Sequence, residues 1–229
     1  MSHARTLSVI FDLDGTLVDS EPNYYEAGRR VLAEYGVTGF TWERHTDFIG
    51  IGTRETLQTL RAEHGIEAPV EELLAGKNRH YVALARAATE VYPQMRAFVE
   101  LLAGDGVPMA VASGSSPAAI DAVLTGTGLD ALIPTVVSAE EVARGKPEPD
   151  VFLEAARRLG AAPGQCVVLE DAPPGAAAAH AAGMRCIAVP YVPGTADDPA
   201  FGTASLLYRG GQGEFTARAA YDWLRGQRP

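Results

Sequence analysis

Two carboxylates stand two residues apart in Asp12-Leu13-Asp14-Gly15-Thr16, directly after the apolar run Leu7-Ser8-Val9-Ile10-Phe11. Residues two apart in extended chain face the same way, so both acids can enter one crevice. At that separation they repel, and they do not both stay cheaply ionised without a counter-cation. A hard dication held by oxygen, Mg²⁺ first among them, resolves the conflict. The plain alternative is a solvated turn, with Gly15 making the bend and Asp14 capping it. Glu170-Asp171 repeats the arrangement after Cys166-Val167-Val168-Leu169. One metal shared by Asp12, Asp171 and Glu170 would make a single site of two electrostatic liabilities. The competing reading of Asp171 is a helix N-cap ahead of Pro173-Pro174.

An anion site is suggested by Ser113-Gly114-Ser115-Ser116-Pro117, where a strand pattern gives way to a helical one. Hydroxyls and free backbone N–H groups at a helix N-terminus attract phosphate. Ser113, at the strand's end, is the better ligand, whereas Ser116 before Pro117 reads as a plain N-cap. Lys146 lies in Arg144-Gly145-Lys146-Pro147-Glu148-Pro149-Asp150. A loop lysine is ordinarily just solvated, but here two prolines stiffen the segment and fix its direction. A cation is what a site of several carboxylates and a phosphate needs.

These residues sit at the ends of elements that the apolar pattern predicts. Strands are expected at Leu7 to Phe11, Met109 to Ala112, Thr135 to Ser138, Cys166 to Leu169 and Cys186 to Val189. Helical spacing separates them, in Met95, Phe98, Val99 and Leu102, in Pro117 to Leu124, in Phe152 to Leu159 and in Pro174 to Ala182. Continuous apolar strands alternating with helices argue for a parallel sheet covered on both faces. In an open sheet of this kind ligands bind beyond the carboxyl ends of the strands. The stretch from about 18 to 90 differs. Its apolar faces (Tyr24, Ala27, Val31 and Tyr35; Leu57 and Leu60; Val70, Leu73, Leu74, Tyr81 and Leu84) are helical, and no convincing strand interrupts them. The expected division is an α/β core of residues 1–17 and 91–229, with an all-helical domain at 18–90 inserted after the first strand. Near the end, Val192 to Gly213 reads as loop with a short strand at Ser205 to Tyr208, and Phe215 to Leu224 as a helix packing Trp223 on the core.

Composition narrows the classes further. The 229 residues are 47% hydrophobic and 21% charged, which excludes disordered and fibrous chains. A net charge of −10 disfavours nucleic acid and anionic membrane as partners, though not a small anionic substrate in a locally positive cleft. The two cysteines, Cys166 and Cys186, read as small buried hydrophobes, and the five histidines form no metal-binding pattern. No apolar run reaches membrane-spanning length, and Met1 to Arg5 carries no signal-peptide pattern. A soluble cytoplasmic monomer is expected.

Taken in order, Asp-x-Asp-Gly-Thr, a strand-end Ser113, Lys146-Pro147 and Glu170-Asp171, all at strand ends, resemble the motif set of the haloacid dehalogenase superfamily. The resemblance spans nearly the whole chain, and residues 18–90 resemble the helical cap of the subfamily that holds β-phosphoglucomutases and sugar-phosphate phosphatases. It implies that Asp12 is the nucleophile that takes a phosphoryl group and that Asp14 is the acid–base. It places Mg²⁺ on Asp12, the Asp14 carbonyl and Asp171, with Glu170 as a further ligand or outer support. Ser113 and Lys146 would hold the transferring oxygens, helped by backbone N–H groups near Asp14 and Ser115, with Gly114 and Ser115 among the substrate-binding residues. Gly50-Ile51-Gly52-Thr53-Arg54-Glu55 resembles the specificity loop of the subfamily, with Thr53 and Arg54 toward the substrate; a Gly-rich turn opening a solvated helix is the alternative. Lys77, on an apolar helical face, resembles the cap lysine of the mutases, against plain snorkelling at the cap's edge.

Two departures from the pattern bear on function. Tyr24 stands where relatives commonly carry a histidine, which in the mutases positions the acid–base. Ala172 replaces a usual serine, costing a hydrogen bond but no metal ligand. The expected activity is Mg²⁺-dependent hydrolysis of a small phosphorylated metabolite, such as a sugar phosphate, through an aspartyl-phosphate. The alternatives are a β-phosphoglucomutase-type isomerase, a dehalogenase that leaves Asp14 and Glu170-Asp171 unexplained, and a phospho-accepting signalling module.

Overall fold

The computed structural model describes residues 7–49, 51–192 and 194–226. The opening Met1 to Arg5 and Gly50 of the Gly50–Glu55 loop lie outside them. In chain order, β1 (Ser8–Phe11) leads through the short β2 (Val18–Asp19) into α1 (Glu21–Glu34), α2 (Trp42–Thr46), α3 (Thr53–Glu63) and α4 (Val70–Ala88). After β3 (Glu90–Val91) follow α5 (Pro93–Gly104), β4 (Met109–Ser113), α6 (Pro117–Thr127), β5 (Thr135–Ser138) and α7 (Asp150–Leu159). The chain closes with β6 (Cys166–Glu170), α8 (Pro173–Ala181), β7 (Arg185–Ala188), β8 (Leu206–Leu207) and α9 (Ala217–Gly226). Among the described residues, β5-β4-β1-β6-β7-β8 form one six-stranded sheet, and every pairing in it is parallel.

Alternation along each strand deals its side chains to two cores, as the pleat requires. Val9, Phe11, Met109, Val111, Val167, Leu169 and Ile187 enter the core beneath α5, α6 and α9. Ile10, Ala110, Ala112, Cys166, Val168, Cys186 and Ala188 enter the opposite core, beneath α7 and α8. Burial on both faces explains why these strands read as unbroken apolar runs. Both cysteines are free and buried, as expected of small hydrophobes. Trp223 packs against the first core. No helix among the described residues is long and apolar enough to cross a membrane.

The chain leaves β1 for the helical insert and rejoins the sheet at β4. The insert's helices share an apolar cluster of their own, in which Val31, Leu32, Phe40, Leu57, Leu60 and Leu73 are buried. One expectation needs correcting. The stretch from 18 to 90 is not free of strand, because β2 and β3 pair antiparallel at its two ends, Val18 opposite Val91 and Asp19 opposite Glu90. Two residues a side are too few to show any period, so the apolar pattern carries no trace of them.

Candidate functional site

Strand order reverses at β1, with β4 on one side and β6 on the other, so a crevice is expected at its carboxyl end. Asp12 stands there. Its backbone N–H still donates to the Leu169 carbonyl at 2.9 Å, which carries the ladder one step past the strand. Asp12 keeps the parity of Ile10, and Glu170 that of Val168, so both acids fall on the α7 and α8 side of the sheet. Lys146 meets them there. Its ammonium donates to Asp12 Oδ1 at 2.5 Å and to Glu170 Oε1 at 2.6 Å, and lies 4.9 Å from the centre of the Phe152 ring on α7. The loop lysine is therefore a buried partner of two carboxylates.

Asp171 completes the group: one oxygen from each of Asp12, Glu170 and Asp171 lies within 4.8 Å of the others. Three acids face one ammonium, and the excess is visible in the proton affinities of Asp12 and Asp171. Burial, with Glu170 and Asp14 adding to it against the pull of Lys146, pushes Asp12 up to about 8. Burial, then Glu170 and Asp12, holds Asp171 well above the carboxylate range. Burial works against the charge on Lys146, but Asp12 and Glu170 outweigh it and hold the ammonium above its ordinary value. A buried, all-oxygen donor set with surplus negative charge fits a hard dication.

Within this group Glu170 has little coordinating capacity left. Its Oε1 accepts from Lys146, and Oε2 accepts the backbone N–H groups of Asp171 at 2.9 Å and Ala172 at 3.0 Å. Gly175 of α8 backs directly onto it: a Cβ at that position would lie 1.7 Å from Oε1. Gly175→Ala is thus expected to destabilise the protein by more than the roughly 1–3 kcal/mol typical of overpacking. A urea midpoint within error of the parent would show that the carboxylate simply moves aside. Asp171 does not cap α8, since Ala172 holds that position. Its Oδ1 instead accepts the Thr16 hydroxyl at 3.1 Å.

Asp14 does not follow Asp12 into this group. The chain turns after Leu13, whose carbonyl accepts from Leu17 and Val18 N–H, and Gly15 makes the bend at φ +82°. The Asp14 carboxylate is taken up by hydroxyls: Tyr81 donates to Oδ1 at 3.1 Å, and Ser115 and Ser113 to Oδ2 at 2.7 and 3.3 Å. Ser113 also accepts the Ser115 N–H at 3.0 Å, and Ser116 caps α6 as expected, accepting from Ala119 N–H. Gly114 is exposed and uncrowded.

Residues of the insert divide. Lys77 is buried, with its ammonium 5.3 Å from the Tyr24 ring centre, and burial lowers it to about 8 against the opposing charge of Glu21. It faces Tyr24, whose hydroxyl meets Ser115 Oγ at 2.6 Å, rather than the insert's outer edge. Arg54 is exposed and paired with Glu71 at 2.7 Å. Thr53, half-buried, opens α3. Sequence reasoning missed the roles of Thr16, Tyr81 and Gln212, whose amide donates to the carbonyls of Gly15 and Thr16 at 3.3 and 2.9 Å. For Tyr81 the signal was a phenol four residues after Lys77, on the same helical face.

A family model described as haloacid dehalogenase-like hydrolase matches residues 8–183. Fructose-1-phosphate phosphatase YqaB of Escherichia coli (strain K12) is 37% identical over 202 residues, covering 82% of this chain and 98% of its own. The bifunctional riboflavin kinase/FMN phosphatase of Arabidopsis thaliana is 34% identical over 191 residues, covering 81% of this chain, but the match spans only 48% of that longer relative. The crystal structure of CbbY from Rhodobacter sphaeroides in complex with phosphate superposes with a TM-score of 0.78 at 26% identity, covering 91% of this chain and 96% of its own. A match that begins in the first strand and ends at the glycine after α8, beside a relative covered almost end to end, shows that the chain belongs to the haloacid dehalogenase-like hydrolases.

Proposed function

We propose that this protein hydrolyses phosphate monoesters of small carbohydrates through an aspartyl-phosphate on Asp12, with Mg²⁺ as cofactor. The carrying observation is Asp12 at the sheet's switch point, bonded to Lys146, within a group that holds more carboxylate than one lysine neutralises. The YqaB relative, named as a fructose-1-phosphate phosphatase, supports the substrate class.

In the first half-reaction an Asp12 carboxylate oxygen bonds to phosphorus, the ester P–O bond breaks, and Asp14 gives a proton to the departing alkoxide. In the second, Asp14 takes a proton from water as the water oxygen bonds to phosphorus. The acyl-phosphate bond breaks, returning Asp12 and releasing inorganic phosphate. Lys146, Ser113 and the backbone N–H groups at Gly114 and Ser115 receive the phosphoryl oxygens. Asp12, Asp171 and the Asp14 carbonyl would hold Mg²⁺, which when bound supplies positive charge between nucleophile and phosphate. Glu170, saturated by its three donors, orients Lys146. Residues 18–90 act as a cap over a core of 1–17 and 91–229, with Lys77, Thr53 and Arg54 reading the substrate once Arg54 exchanges Glu71 for it. The working form is a cytoplasmic monomer.

Incubation with a panel of sugar phosphates and Mg²⁺ is expected to release inorganic phosphate, and EDTA to stop it. Conversion of glucose 1-phosphate to glucose 6-phosphate with no free phosphate would replace hydrolysis by the mutase outcome.

A further inference from the structure

We infer that Tyr81 and Tyr24, both on helices of the insert, are positioning residues for Asp14, so that proton transfer depends on the insert lying against the sheet. This rests on the hydrolase reading above, in which Asp14 moves the proton. Tyr81 on α4 donates directly to Asp14 Oδ1, while the core hydroxyls of Ser115 and Ser113 hold Oδ2. Each carboxylate oxygen is thus held from a different part of the molecule.

Proton accounting brings Tyr24 into the same device. A serine hydroxyl has one proton to give, and that of Ser115 goes to Asp14 at 2.7 Å. In the 2.6 Å contact between Tyr24 and Ser115 the phenol must therefore be the donor. A tyrosine's ordinary value of about 10 leaves both phenols protonated at neutral pH. Their rings stack, with centres 4.3 Å apart and planes at 25°. One turn beyond Tyr81, α4 lies so close to α6 that a Cβ on Gly126 would come 3.0 Å from the Ala85 carbonyl oxygen. The backbone that carries Tyr81 is thus seated closely on α6, a helix of the sheet domain.

A general acid contributes only within hydrogen-bond reach and correct aim of the atom it protonates. Without the Tyr81 hydroxyl, Oδ1 loses this restraint and the carboxyl can swing about its last bond. The loss should then appear where a proton is needed and vanish where it is not. A sugar alkoxide must be protonated as it leaves, whereas p-nitrophenolate departs unaided. Because kcat/KM extends only through the first irreversible step, it isolates this transfer from the later attack of water.

The test compares kcat/KM of the full chain, with Mg²⁺, on the best-hydrolysed sugar phosphate and on p-nitrophenyl phosphate. Tyr81→Phe, which keeps the stacked ring, is expected to lose roughly 10- to 100-fold on the sugar phosphate and less than about threefold on the aryl ester. Tyr24→Phe, acting through Ser115, is expected to show the same asymmetry at smaller size, and it keeps the test open if the first variant fails to fold. Equal losses on both esters, or no loss on either, would overturn the inference while leaving the hydrolase reading intact. Parent protein that releases phosphate from neither ester would overturn that reading itself, and this inference with it.

Discussion

Asp12→Asn is expected to abolish phosphate release and, in the absence of a divalent cation at pH 8, to raise the melting temperature. Both halves follow from one geometry. The amide matches the carboxylate in shape but offers no anionic oxygen to phosphorus, so turnover should fall by at least roughly 10³-fold. The same change removes a negative charge from a group that burial, with Glu170 and Asp14 adding to it against Lys146, already pushes up to about 8. Lys146 keeps Glu170 at 2.6 Å and is not left unpaired. On the proposed mechanism the nucleophile is thus also a source of instability for the fold, and its replacement is expected to exchange activity for stability. Phosphate release and thermal scans in EDTA check the two halves separately. A variant keeping more than about a tenth of parental turnover would remove Asp12 from the nucleophile's role. A lower melting temperature would show that the carboxylate–lysine bond outweighs the repulsion around it.

The sheet and the three acids at its edge were legible because they depend on local rules. Strands covered on both faces carry no polar alternation, so Val9 to Phe11 and Cys166 to Leu169 stand out, and the acids that end these runs fall at the crevice by topology alone. What the sequence did not disclose depends on where the chain bends. The parity argument for Asp12 and Asp14 holds only in extended chain; the turn after Leu13 carries Asp14 to the hydroxyls of Tyr81 and Ser115 instead. Tyr81 read as one more apolar contact of α4, since periodicity cannot separate a phenol that only packs from one that packs and donates. Glu170 stayed ambiguous between ligand and support because its occupancy is set by backbone N–H groups of Asp171 and Ala172, which no residue type announces. Arg54 looked free for a substrate because its partner Glu71 lies seventeen residues away, on the next helix.

Stripped of divalent cations, the protein is expected to lose stability as the pH rises from 5 to 8, and Mg²⁺ to restore far more at pH 8 than at pH 5. Asp12 has an ordinary value of 3.8 and a folded value near 8; Asp171 is shifted in the same direction. An acid shifted upward binds its proton more tightly when folded. Between about pH 4 and 8 the native state therefore holds more protons than the unfolded chain, and stability falls as pH climbs through that window. Lys146, held above its ordinary value, stays charged throughout and does not alter the sign. The effect at pH 8 is on the order of a few kcal/mol, or a decrease of about 10 °C in melting temperature for a domain of this size. A dication requires the deprotonated acids, so at pH 5 it must compete with bound protons, whereas at pH 8 it meets anions that Lys146 alone only partly neutralises. Excess metal over its dissociation constant then adds stability by mass action. Thermal scans of EDTA-treated protein at the two pH values, with millimolar Mg²⁺ or sodium at matched ionic strength, read this directly. A Mg²⁺ shift of equal size at both, or none at either, would mean that Asp12 and Asp171 do not form a metal site.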